Sequence, residues 1–97
     1  MKPVQVHPEA KAEIKGAFEW YWERSESSAI GFDAELRDAF SVLRKSPGIC
    51  APYLRGTRRA ILDHYPYFIV FRELPRKIQI IAVAHAKRRP GYWAKRL

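Results

Sequence analysis

The side chains best suited to chemistry stand close together late in the chain. Arg58 and Arg59 are adjacent, and His85, Lys87, Arg88, Arg89, Tyr92 and Trp93 follow within one short stretch. Guanidinium and ammonium groups neutralise phosphates or carboxylates, so the set suits a surface that faces a polyanion or another protein. Lys87, Arg88 and Arg89 are in most chains a solvated run, but their place at the end of a core strand gives them more than that. His85 ends the same strand and reads either as a satisfied structural histidine or as a proton shuttle. His64 before a turn and His7 before a helix read as local hydrogen-bonding residues. With one cysteine, Cys50, and three scattered histidines, no metal-ligand spacing is present and no cofactor is implied. Glycine-rich phosphate loops and nucleophile elbows are absent.

Those residues need a platform, and residues 58–93 supply one. Three apolar, β-branched and aromatic runs are separated by breaks at Pro66 and Pro75, too short for helical crossovers, which predicts a three-stranded antiparallel meander. Alternation puts Phe68, Val70 and Arg72 on one side and Tyr67, Ile69 and Phe71 on the other. In the last strand Ile78, Ile80, Ala82 and Ala84 oppose Gln79, Ile81, Val83 and His85. Both faces are largely apolar. One is expected to lie under the helices, and the other to be covered by the C-terminal tail, a loop or a partner.

Upstream, Val4 and Val6 alternate with polar neighbours as a short edge strand, and Pro8 suits a first helical turn. Ala10, Ile14, Ala17, Phe18 and Tyr21 recur at spacings of three and four, the stripe of a helix ending near Arg24, with Glu9 and Glu13 placed well for its dipole. Trp20 lies about 200° around from Phe18 and points outward, as a partner contact or as a lid over the chain's own loop. After a polar break at 25–28, where Ser27 or Ser28 can cap, a second stripe runs through Ala29, Phe32, Leu36, Ala39, Phe40 and Leu43 and stops at Ser46-Pro47-Gly48. Two helices so joined form a hairpin. Residues 49–57 read as a loop into the sheet. The fold class is therefore α+β in the order β-α-α-β-β-β, with an antiparallel sheet against a two-helix hairpin. Phe18, Tyr21, Leu36, Phe40, Val70, Ile80 and Ala82 are expected to share its core.

Ninety-seven residues make one domain, 1–97, able to bury a core without staples. The lone cysteine fits a reducing compartment, and no apolar run of signal or membrane-spanning length occurs, so the expected setting is the cytoplasm, away from membranes. Eighteen Lys and Arg against ten Asp and Glu leave a net charge of +8, which favours nucleic acid, ribosome or an acidic protein as partner. The bland alternative is a protein that is merely soluble and basic.

Taken together, several motifs resemble the RelE/ParE superfamily of type II toxin-antitoxin toxins, often labelled plasmid-stabilisation proteins. They are Pro8-Glu9-Ala10 with Glu13, Trp20-Tyr21-Trp22-Glu23, Phe32 to Leu36 with Phe40, and Ser46-Pro47-Gly48. Gly56-Thr57-Arg58-Arg59, then the run from Tyr65 to Arg72, then Ala82 to His85 leading to Arg88-Arg89-Pro90-Gly91-Tyr92-Trp93 complete the set. The resemblance implies a growth-inhibiting toxin neutralised by a cognate antitoxin from an adjacent gene, and Trp20 becomes a candidate antitoxin contact.

In the RelE branch, ribosome-dependent nucleases cut mRNA by activating the ribose 2′-hydroxyl, which needs an acid, a base and positive charge on the transition state. Arg88, Tyr92, His85 and Arg59 would carry that chemistry here. In the ParE branch a basic, aromatic C-terminal region binds DNA gyrase, and Arg58, Arg59, Lys87, Arg88, Arg89, Tyr92 and Trp93 would form the target or nucleic-acid surface. Phe68 stands where many RelE-type nucleases present an arginine, so the reading taken is ParE-like. The nuclease, and a domesticated antitoxin-binding co-repressor, are the alternatives.

Overall fold

The computed structural model describes residues 2–97. Strand β1 (Val4–Val6) leads into helix α1 (Pro8–Arg24), helix α2 (Glu26–Lys45), then strands β2 (Ala51–Pro52), β3 (Arg58–Ile61), β4 (Tyr67–Glu73) and β5 (Ile78–His85). The meander is present as expected, with β3–β4 and β4–β5 antiparallel. Two features differ from the expected sheet. β1 pairs with β5 in parallel: β2, the strand after the helical hairpin, runs against β1, and the three antiparallel pairings that follow turn β5 back into β1's direction. Within the stretch read as a loop, Ala51 and Pro52 add a two-residue strand against Arg59 and Arg58, giving the five-stranded order β1-β5-β4-β3-β2. Proline is tolerated there because the strand is an edge.

The helices start where short polar side chains can satisfy free backbone N–H groups. His7 Nδ1 accepts from the Glu9 N–H at 3.1 Å, with Pro8 in the first turn. The cap of α2 is Ser25, neither Ser27 nor Ser28. The Ser28 N–H donates to Ser25 Oγ at 3.3 Å, and Ser25 also ends α1, so one residue serves both helices. The hairpin is therefore tighter than the four-residue polar break suggests. At its sheet end Tyr65 Oη donates to the Ser28 carbonyl at 2.7 Å. That close approach needs Gly31, since a Cβ there would fall 2.5 Å from the Tyr65 hydroxyl.

Between helices and sheet lies the main core: Ala10, Ala17, Phe32, Leu36 and Leu43 against Ile69, Phe71, Ile78, Ile80 and Val83. Phe18, Tyr21 and Phe40 border it, half-buried. Val70 and Ala82, expected in that core, lie on the other face with Ile81 and Trp93. Val70 lies there because β4 alternates regularly and its Ile69 and Phe71 take the helix face, while Ala82 is parted from Ile80 by a β-bulge. Phe71 pairs with Ile80 and Val70 with Ala82, so Ile81 is an extra residue and the alternation of β5 flips across it. The second face is covered from within the chain, by the tail through Tyr92 and Trp93 and by Tyr53 of the preceding loop.

Phe32 is fully buried and meets Tyr21, Tyr65 and Tyr67 through ring contacts of 5.5 Å each, whereas Phe40 only borders the core. Phe32→Ala should therefore cost on the order of 3–5 kcal/mol in urea unfolding and Phe40→Ala distinctly less. Equal costs would contradict this layering.

Candidate functional site

Glu13 stands at the centre of the residues that hold the basic turn. It occurs on the same stripe of α1 as Ala10 and Ala17, so the helix that buries those alanines also carries its carboxylate inward. There it meets the exposed flank of β5 just beyond the end of β1. Strand pairing stops where His7 N–H donates to the Ile80 carbonyl. Past that point Glu13 Oε1 accepts from the Val83 N–H at 3.0 Å, and the Ile81 carbonyl accepts from Arg96 Nη1 at 3.1 Å. Two side chains thus satisfy the edge groups beside the bulge.

The same carboxylate fastens the tail. Arg96 grips it with both guanidinium nitrogens, Nη1 to Oε1 at 2.9 Å and Nη2 to Oε2 at 3.0 Å, and its Nε reaches Glu9 at 2.8 Å. Tyr92 Oη donates to Glu13 Oε2 at 2.6 Å. Arg88 stacks on the Tyr92 ring at 3.7 Å and brings Nη1 within 3.6 Å of Glu13 Oε2. The Arg96 and Glu13 side chains are only 10% and 15% exposed, while Arg88 keeps 54% of its side chain in solvent. Burial, followed by the hydrogen bond to the Glu13 carboxylate, pushes the Tyr92 phenol well above its ordinary value.

The remaining candidates separate. His85 pairs with Tyr67 on the helix side of the sheet, its ring 5.0 Å from the Tyr67 ring, and its Nδ1 accepts from the Lys87 N–H at 3.0 Å. Arg59 pairs with Val70 on the opposite face and lies over the rings of Tyr53 at 4.4 Å and Phe68 at 5.2 Å. Arg58 Nη1 donates to the Cys50 carbonyl at 2.8 Å. Lys87, Arg88 and Arg89 are all exposed on the turn after β5. The chain leaves that turn through Gly91 at φ +78, a conformation that suits glycine. Trp93, expected on the contact surface, is 1% exposed and packs on the second sheet face with Val70, Ile81 and Ala82. Trp20 is 52% exposed on α1, covered on one side by Arg24 at 3.8 Å from its ring. Among the described residues no three His, Cys, Asp or Glu side chains come together as metal ligands, and no helix is long and apolar enough to cross a membrane.

In the sequence Glu13 stands out through the helix dipole and the Pro8-Glu9-Ala10 motif, not as the anchor of the tail, and neither Arg96 nor Tyr53 stands out at all. The available signal is a carboxylate on an apolar stripe in a chain rich in cations, which needs a buried partner.

A helical hairpin on a five-stranded sheet, with an exposed basic turn held to the first helix, defines an α+β protein. The family described as the ParE toxin of the type II toxin-antitoxin system, parDE, matches residues 4–90, and the chain belongs to that family. It is thus the toxin component of such a system, and an antitoxin is its implied partner. The fold is also similar to a solved chain described as the chromosomal ParDE TA system from P. aeruginosa. The two share 18% identity and a TM-score of 0.76, over 88% of this chain and 96% of that one. No curated protein sequence matches.

Arg96→Ala leaves the Glu13 carboxylate buried without its main partner and should cost roughly 3–5 kcal/mol. Tyr92→Phe should cost less. A group whose folded pKa is raised gives stability that is intact below its unfolded value, here 10.0, and is lost as pH climbs above it. Unfolding free energy should therefore fall above about pH 10 in the parent, and less steeply in Tyr92→Phe. Identical alkaline slopes would contradict a Tyr92 phenol held above its ordinary pKa by burial and by Glu13.

Proposed function

We propose that this toxin acts in the cytoplasm by binding DNA gyrase through the basic turn at 87–89, with Arg88 as its main contact, rather than by cutting RNA. The observation that carries this reading is that the Tyr92 hydroxyl is committed to Glu13. Burial, and then the bond to the Glu13 carboxylate, move this phenol away from the pKa range that suits a general base at neutral pH. His85 and Arg59 on opposite sheet faces, and Phe68 beneath Arg59, point the same way, since a nuclease needs acid, base and cation around one phosphate. What remains on the turn is exposed positive charge on a fixed scaffold, which suits recognition of an acidic surface.

The antitoxin proposed to neutralise it is encoded by the adjacent gene, and its contacts include Trp20 on α1. Exposed Trp20 and Trp22 near the end of that helix support an aromatic anchor for a partner chain.

Purified toxin should abolish supercoiling by gyrase while leaving ribosome-bound mRNA intact. Arg88→Ala should raise the concentration needed for half-inhibition about 5- to 30-fold, the effect of losing roughly 1–2 kcal/mol of contact. Cleavage of mRNA in the ribosomal A site by the parent protein, lost in Arg88→Ala, would replace this reading with the nuclease one.

A further inference from the structure

The three cations of the turn are not held alike. The turn's backbone is closed by bonds of its own, Arg88 N–H to the His85 carbonyl at 3.0 Å, Tyr92 N–H to the Arg89 carbonyl at 3.2 Å and Lys87 N–H to His85 Nδ1. Among the described residues Lys87 and Arg89 form no ion pair, and their side chains are left to solvent. Arg88 alone is seated, stacked on the Tyr92 ring and within ion-pair distance of Glu13 Oε2. An unseated arginine loses much of its rotamer freedom when it binds. A seated one has lost part of that freedom beforehand, so less is lost at the moment of contact.

Sealing the sheet edge does not account for this arrangement. The Val83 N–H needs one oxygen, and Glu13 Oε1 supplies it. The other oxygen has no backbone donor. Among the described residues it serves Tyr92, Arg96 and Arg88 only, three side chains of the tail, and the Tyr92 ring lies against the exposed Arg88 guanidinium. Tyr92 is itself placed by that oxygen, so the ring beneath Arg88 and the charge beside it come from the same carboxylate. Arg96 lies 5.2 Å from the Tyr92 ring and bonds the same carboxylate, so the carboxylate is paired whether or not Arg88 bends toward it.

We propose that Glu13 is a positioning residue for target binding: from the first helix, it orients the exposed Arg88 guanidinium through the Tyr92 ring and a direct ion pair, so that Arg88 meets an acidic target already aligned. This rests on the reading that Arg88 is the main target contact. A helix far from the turn in sequence thereby sets how firmly the toxin holds its target, without touching the target itself.

A double-mutant cycle tests it. Glu13→Gln keeps the side-chain shape and an acceptor for Val83 but removes the charge. Alone it should raise the toxin concentration for half-inhibition of gyrase about tenfold. In an Arg88→Ala background the same change should add less than about twofold, because there is no guanidinium left to orient. A purely structural Glu13 would instead weaken both backgrounds by the same factor, and that additive result overturns the proposal. Should Glu13→Gln not fold, Tyr92→Phe carries the same cycle. It keeps the ring but frees it from the carboxylate, and it too should lose its effect once Arg88 is gone. Parent protein with no effect on gyrase contradicts the proposed target rather than the role of Glu13. The cycle is then read on growth arrest at matched toxin levels, and additive losses there overturn the proposal equally.

Discussion

One buried carboxylate ties the parts of this molecule together. Glu13 lies on the apolar stripe of α1, and a charge in that position is tolerated only where it is both paired and hydrogen-bonded. It finds the open flank of β5 on one side and Arg96, Tyr92 and Arg88 on the other. The helix, the sheet edge and the tail are therefore not independent modules. Removing any one leaves polar groups of the others buried without partners. Such a cluster contributes more to the uniqueness of the arrangement than to its net stability, because the desolvation of Glu13 and Arg96 offsets much of their attraction.

The bulge in β5 is what makes the cluster fit. By inserting Ile81, it turns Ile81 and Ala82 toward Trp93 while Ile80 and Val83 still face the helices. The tail thus gains an apolar seat on the second face, and Trp93 fills it. Tyr92, one residue earlier, reaches around the edge to Glu13. Charge distribution reinforces the division. After Asp38 the only acidic residues are Asp63 and Glu73, whereas lysines and arginines continue to the end of the chain. The sheet and tail are consequently strongly basic over a mildly acidic helical layer, an arrangement that steers acidic partners toward the turn.

Much of this architecture is legible in the sequence itself. The two helical stripes, the meander and the exposed Trp20 follow from spacings of three, four and two that local sequence imposes directly. What escapes such a reading depends on contacts between distant parts of the chain. Alternation alone groups Ala82 with Ile80 because a single inserted residue inverts a period-two pattern, and nothing in the run IQIIAVAH marks where the insertion falls; for Val70 alternation holds, and only packing decides which face of β4 the helices cover. The short β2 strand exists only because β3 offers it an edge. Ser25 rather than Ser27 or Ser28 caps α2 because the link is shorter than its composition implies. For the site, the exposed turn is visible as a run of cations. The partners of Glu13 are not, since residues 79 and 83 positions away meet it only in three dimensions.

The amide of Val83 reports on the cluster most directly. In a strand flank without a neighbouring strand, this N–H would exchange with solvent through small local openings unless Glu13 holds it. Native-state hydrogen exchange should find the Val83 amide protected to the level of the central β4–β5 pairs in the parent, with that protection lost in Glu13→Ala while the β4–β5 amides stay protected. A Val83 amide that exchanges rapidly in the parent would show that the carboxylate does not hold the edge, and the account built on it would fail.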